Sequence, residues 1–314
     1  MKKSLIKFKS LLLRNIKLYF TDKLMFFISL LAPLILLLLF VLFLKNNYYN
    51  SFVNSLPDDL PLPNQNVPNA FISGWLVASL MSVTCVTVSF GVGTIMVQDK
   101  ITGTINDLKA APVKQSVVSL TYYLSTFVSS IIIVFSVLIL GFLYLVLIGW
   151  YLSLIDVLLI CLNTFLLTLF GCGLSTIINS FIKSEGGISA VSALSSSIYG
   201  FICGAYLPLA QFGSTFSNIF GFNPGLYSSI LFKNLFTRGA IEQMSSLPNQ
   251  AIEAIKDSFD LNFYMFKLNV HQNLMWIIII VSIIILTITL VIMANQNHLF
   301  MKNKYQNKKS QTIP

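Results

Sequence analysis

Residues 24–44 read LMFFISLLAPLILLLLFVLFL, an apolar run interrupted only by Ser29 and Pro33. A helix needs roughly 20 such residues to cross a hydrocarbon core about 30 Å thick. The stretch is long enough to span a bilayer, and Pro33 is tolerable there because neighbouring helices or water satisfy the carbonyl it frees. A secretory signal would carry an apolar core of only about 7–15 residues followed by a small-residue cleavage site. Neither feature is present.

The rest of the 314-residue chain follows the same pattern. It is 55% hydrophobic and only 10% charged, with a mean hydropathy of +0.79, where an ordinary soluble domain carries about 25% charged residues. Further apolar blocks at 71–97, 117–148, 154–182, 188–207 and 274–294 predict six transmembrane helices in an all-α integral membrane protein, a single transmembrane domain over 1–314. The block at 117–148 is long enough to tilt or to project beyond the bilayer. The block at 188–207 is rich in Ser and Gly, and small residues such as Ser189, Ala190, Ala193 and Gly200 predict a helix that faces protein more than lipid. Residues 45–69 are polar, contain Pro57, Pro61, Pro63 and Pro68, and read as a loop. Residues 208–273 mix aromatics, Gly and Pro with Glu242, Glu253, Asp257 and Asp260, and read as an extracellular region; 212–236 are apolar enough to re-enter the membrane or lie on its surface. Cys85, Cys161, Cys172 and Cys203 lie in or beside apolar blocks without metal-ligand spacing, and read as small buried hydrophobes.

A net charge of +9 suggests a nucleic-acid partner until its distribution is examined. Six spans put both termini on one side. Assigning 1–23, 98–116, 183–187 and 295–314 to that side gives it 15 of the 20 Lys and Arg and 4 of the 11 Asp and Glu, a net +11, and leaves −2 for the other. The positive-inside rule makes the +11 side the cytoplasm. The charge is then a topology signal that requires no nucleic acid, and the basic tail with Lys302, Lys304, Lys308 and Lys309 is placed to touch anionic lipid.

Two cytoplasmic features carry mechanism. Lys3, Lys7, Ser10, Arg14 and Lys17 recur every three or four residues, with Leu5, Leu12, Ile16 and Tyr19 opposite, which predicts an amphipathic helix over 1–23 lying in the membrane interface, an anchor or an anchor that also docks a partner. The second feature is 98–113, QDKITGTINDLKAAPV, between spans two and three. Gly103 and Thr104 break one helix and cap the next, and Ile105, Leu108 and Ala111 form a short apolar face before Pro112 stops it. From the residues alone this is either a structural turn or a short helix shaped to fit a groove on a soluble partner.

The pattern Asp99-Lys100-x-x-Gly103-Thr104-x-x-x-Leu108-x-x-Ala111-Pro112-Val113 resembles the cytoplasmic signature of ABC-2 type transporter permeases. Asp99 stands where Glu is commoner. Gly204-x-x-x-Pro208 and Asn223-Pro224-x-x-Tyr227, the amphipathic amino terminus and the six-span plan are similar to the family as well, whereas the acidic segment Glu242 to Asp260 lengthens the external region. The resemblance implies the membrane-spanning permease subunit of an ATP-driven exporter in a bacterial plasma membrane, with both termini cytoplasmic. It implies a homodimer or heterodimer with a second permease and two copies of a separate ABC ATPase subunit, which binds ATP and Mg; this chain would bind no cofactor or metal. ATPase coupling would fall to Asp99, Lys100, Gly103, Thr104, Leu108, Pro112 and Val113, and docking by the amphipathic helix to Lys7, Arg14 and Lys17. The chain contains no Gly-x-x-x-x-Gly-Lys-Ser/Thr phosphate cradle, so nucleotide chemistry is assigned to another polypeptide and this chain is not expected to be an enzyme. Spans rich in Phe, Leu and Ile suit an amphipathic or hydrophobic cargo such as a peptide, toxin, lipid, pigment or drug.

Two other readings compete with the exporter. A secondary transporter would need ionisable residues inside spans, and Asp156, the only carboxylate at a span edge, reads as an exposed helix cap. A non-transporting membrane anchor or sensor would share the spans and basic flanks but has no use for the loop pattern.

Overall fold

The computed structural model describes the backbone of residues 2–54, 66–110, 114–245 and 247–310, and these are helical except for turns, short connections and one small hairpin. Pro112 and Val113, the stretch 55–65 and the side chains of the basic tail lie outside the described residues. Helix α1 (Lys2–Thr21) is followed by one continuous rod made of α2 (Lys23–Leu39), a π-helical turn (Phe40–Leu44) and α3 (Lys45–Asn54). Residues 45–54, read as the start of a loop, are therefore helical. Tyr48 and Phe52, four residues apart on one helical face, are buried with ring centroids 4.7 Å from Trp75 and 5.5 Å from Phe71, and this apolar stripe is hidden in the sequence by Lys45, Asn46, Asn47 and Asn50.

Helix α4 (Asn66–Gly93) breaks at Thr94 and continues as α5 (Ile95–Ile101). It is the central element, buried over nearly its whole length. A helix buried on all sides must satisfy its own polar groups. The hydroxyls of Ser82, Thr84 and Ser89 do so by donating to the carbonyls four residues back at 2.7–2.8 Å. Around it stand α7 (Gln115–Ile148), α8 (Leu154–Phe181) and α9 (Glu185–Ile202), and α1 packs along α7. The short α6 (Thr104–Ala110) connects α5 towards α7.

Five helical stretches, 26–53, 66–101, 115–148, 154–181 and 272–295, are long and apolar enough to cross a membrane. They correspond to the expected first, second, third, fourth and sixth spans. Helix α9 is shorter and more polar, yet its flanks reach opposite ends of the central helix. The carbonyl of Ile182 accepts from Lys100 Nζ at 3.1 Å, and that of Gly204 accepts from Lys233 Nζ at 2.8 Å, where Lys233 stands 4.9 Å over the Trp75 ring. Helix α9 therefore runs the length of the bundle antiparallel to α4. Its expected burial is not met within one chain, since only Tyr199 and Gly200 are fully buried while Leu194, Ile198 and Phe201 are exposed. Small residues occupy its whole circumference, and α4 covers one edge.

After α9 the chain doubles back through a 3-10 turn (Leu209–Phe212), α10 (Gly213–Phe220), α11 (Pro224–Glu242), α12 (Asn249–Ser258), the antiparallel pair β1 (Tyr264–Met265) and β2 (Leu268–Asn269), and α13 (Gln272–Ser310). Asn223 caps α11 by accepting from the Gly225 amide at 3.2 Å, with Pro224 at the first helical position. Gln272 Nε2 donates to Asn234 Oδ1 at 2.9 Å, so residue 234 is level with the start of α13. From there α11 runs back to Leu226, about 12 Å deeper at 1.5 Å per residue, and packs there with Ile230 and Met275. Ser228 and Asn163 of α8 exchange two hydrogen bonds, of 2.9 and 2.6 Å. The apolar 212–236 stretch thus yields a helix packed inside the bundle against α4, α8 and α13. Gly74 makes room for it, because a Cβ there would stand 2.6 Å from the Phe236 carbonyl oxygen.

Candidate functional site

The loop that links spans two and three is built around one carboxylate and one ammonium. Asp99 is 6% exposed and accepts from Arg14 Nη1 and Nη2 at 2.7 and 2.8 Å, a two-pronged pair between α5 and α1. Its Oδ2 also accepts from the Tyr122 hydroxyl of α7 at 2.5 Å. Hydrogen bonding to Asp99 pushes the Arg14 guanidinium further above its ordinary pKa, against the opposing effect of burial, so the guanidinium stays charged. Asn15, itself buried, accepts from Arg14 Nη1 at 2.9 Å and fixes the guanidinium plane.

Lys100 points the other way. Its Nζ donates to the carbonyls of Asn179, Ser180 and Ile182 at 2.6, 2.7 and 3.1 Å. These lie at the carboxyl end of α8, where unsatisfied carbonyls carry partial negative charge that a cation stabilises. Two adjacent residues thereby tether the loop to three helices: α1 and α7 through Asp99, α8 through Lys100.

Gly103 has φ +80°, a left-handed value that costs a residue with a Cβ about 1 kcal/mol or more, and it separates α5 from α6. The Asn106 amide donates to the Gly103 carbonyl at 2.8 Å. Thr104 is the first residue of α6, and its hydroxyl meets that of Thr102 at 3.0 Å. The described apolar residues of α6 turn inward. Ile105 is buried and Leu108 packs against the chain's own core, leaving Ile101, Thr102, Asn106 and Asp107 as the exposed surface. A helix of seven residues cannot bury apolar side chains both inward and outward, and the bundle takes them.

On α1, Lys17 is exposed, Lys7 is half-buried and Arg14 is drawn inward to Asp99. The face that carries Lys7, Ser10, Arg14 and Lys17 is therefore split: Ser10 and Lys17 look outward, as does Lys9. Tyr122 and the carbonyls that end α8 were missed from sequence, because a tyrosine inside a span and a backbone carbonyl carry no pattern of their own.

The opposite end of the bundle holds a second set of buried charges. Asp156 does form a capping box with Ser153, but it is 2% exposed rather than solvent-facing and pairs with Arg238 of α11 at 3.0 Å. Lys233 and Asp260, both buried, pair at 3.0 Å, and Asp260 also accepts from the Leu209 and Ala210 amides at 2.6 and 3.2 Å. Lys233 was masked in sequence by the apolar residues on either side of it. These charges answer one another and tie α11 to α8 and to the segment that ends at Asp260.

A family model for ABC-2 type transporters matches residues 6–236, from α1 through the loop at 98–113 to most of α11. No curated protein and no solved structure matches the chain. With a match over most of its length, apolar helices of spanning length and the Asp99–Lys100 loop between two of them, this multi-pass membrane protein belongs to the ABC-2 type transporter family, the membrane component and not the ATPase of an ABC transporter.

Proposed function

We propose that the chain is the permease of an ATP-driven exporter, powered by two copies of a separate ABC ATPase that docks on the side bearing α6. One observation carries this reading: the loop at 98–108 is bound to α1, α7 and α8 by charged hydrogen bonds while Asn106 and Asp107 face outward. A push delivered to α6 by a partner that closes around ATP reaches three helices at once, two of them spans. A plain connector needs no such tethers. The exposed surface of α6 is polar and acidic at Asp107, and Lys9 and Lys17 of α1 are exposed as well, so the partner presents a mixed charged surface. The permease works as a dimer with a second permease in a bacterial plasma membrane, both termini and α6 on the cytoplasmic side, and it moves an amphipathic or hydrophobic cargo. The charge asymmetry of +11 against −2 supports that orientation.

The test is affinity purification of the full chain from its native membranes with identification of what co-purifies. An ABC ATPase should be recovered. Asp107→Lys should lower that recovery about tenfold, equivalent to about 1.4 kcal/mol. Asp99→Asn should leave recovery unchanged and uncouple ATP hydrolysis from cargo movement. Recovery of no ATPase by the intact chain would sink the exporter reading.

A further inference from the structure

The hairpin that precedes α13 has an unusual tip. Tyr264–Met265 and Leu268–Asn269 are joined by Phe266 and Lys267, both left-handed, with φ of 50° and 69°. Turns of this kind favour Asn-Gly, because a Cβ is unfavourable there. Here the two positions carry a large aromatic and a long cation, both exposed. The tip is held in that shape by α10, since Asn218 Oδ1 accepts from the Phe266 amide at 2.8 Å.

The same contact gathers an apolar surface. Phe216 and Ile219 of α10, Phe222 in the turn that follows it, Phe266 and Leu268 are each more than half exposed, and the rings of Phe222 and Phe266 lie 6.4 Å apart. Beneath them Phe263, Val270, Tyr227 and Met275 form a buried cluster that joins the hairpin to α11 and α13. Polar groups are sorted elsewhere: Glu253 and Asp257 of α12 accept from Asn262 at 3.0 and 2.8 Å, and Lys256 pairs with Glu253 at 2.8 Å. Two residues after the hairpin α13 begins, and its Leu274, Ile277, Ile280 and Val281 are exposed as lipid-facing side chains of a span are.

We propose that the α10–hairpin patch is a membrane anchor that inserts into the leaflet opposite the one on which α1 lies, with phospholipid as its partner. Phe222, Phe266 and Leu268 enter the acyl region, and Lys267 reaches the headgroup phosphates, the arrangement by which aromatics and long cations settle at an interface. Three observations favour lipid as the occupant: continuity with the exposed apolar surface of α13, the depth of the adjoining α11, and a cation at the tip of the wedge. The anchor ties the segment after α11 to the bilayer while the spans move. It rests on the placement of 203–271 at the end of the bundle away from Lys100 and not on the exporter reading, and its hairpin half lies beyond the residues that the family model matches.

The experiment uses the full chain with half-buried Cys161 replaced by serine and the buried Cys85, Cys172 and Cys203 kept, one added cysteine at position 222, 266, 268 or 257, and an environment-sensitive fluorophore on it. The protein is reconstituted in phosphatidylcholine and phosphatidylglycerol vesicles. Acyl-chain nitroxide lipid should quench labels at 222, 266 and 268 at least about twofold more than the label at 257, with aqueous iodide giving the reverse order. Phe266→Ser should weaken nitroxide quenching of the label at 222, a readout that leaves the tip unlabelled. Iodide quenching at the three sites as strong as at 257 would overturn the proposal in favour of a water-facing surface. Oxidative cross-linking between copies at 266, with no nitroxide quenching, would overturn it in favour of a second copy of the chain.

Discussion

Asp99 accepts three hydrogen bonds from two helices that are 85 and 23 residues away in sequence, so its carboxylate is worth more to the assembly than to its own loop. Asp99→Asn keeps the shape and removes the charge. It should destabilise the detergent-solubilised chain by about 2 kcal/mol, the range for a hydrogen-bonded charge partner, read as a lower thermal midpoint. The pair Arg14→Asp with Asp99→Arg should recover part of the loss if the ion pair is the cause. Lys233→Met is expected to cost more, about 3 kcal/mol or above, because it strands the buried Asp260 carboxylate. Adding Asp260→Asn should restore some of that stability. No recovery in the double variant would mean that the Asp260 contacts to Leu209 and Ala210, and not its pairing with Lys233, hold the site.

Among elements, α11 is the one whose place depends most on its neighbours. It enters the bundle through the gap at Gly74, and Gly74→Leu should push it off α4, lowering the thermal midpoint and exposing Asp156 to solvent-borne reagents. Helix α3 is the converse case, a polar stretch held helical by two aromatics. Phe52→Ala should cost about 3 kcal/mol, as for a buried aromatic, and should loosen 45–54 selectively in hydrogen exchange. These elements also mark where local reading succeeds. Spans such as 115–148 and 154–181 were legible almost to the residue because a long apolar run has one solution in a bilayer. Helix α3 was not, because its buried stripe is only Tyr48 and Phe52 wide. The inward turn of Ile105 and Leu108 was equally hidden, since an apolar face declares that it is buried but not against what.

For the molecule as a whole, the path of α9 decides the topology. If α9 crosses, a cysteine at 257 and a cysteine at 107 lie on opposite sides, and an impermeant maleimide should label 257 in intact cells and 107 only after permeabilisation. Labelling of both under the same condition would reduce the plan to five spans and separate the two termini. What the sequence by itself determined is the solvent and the long apolar helices: transfer of apolar and charged groups between water and lipid is a property of each residue and of its near neighbours, and it survives in a linear reading. The family pattern at 99–113 was legible for the same reason, being local. Only the tertiary structure decided that Arg14 meets Asp99, that Lys100 closes the end of α8, that Lys233 meets Asp260 beside Trp75, and that the exposed residues of α6 are the polar Asn106 and Asp107. A buried charge is tolerated only where a partner reaches it, and which partner does so depends on how the helices pack, not on spacing along the chain.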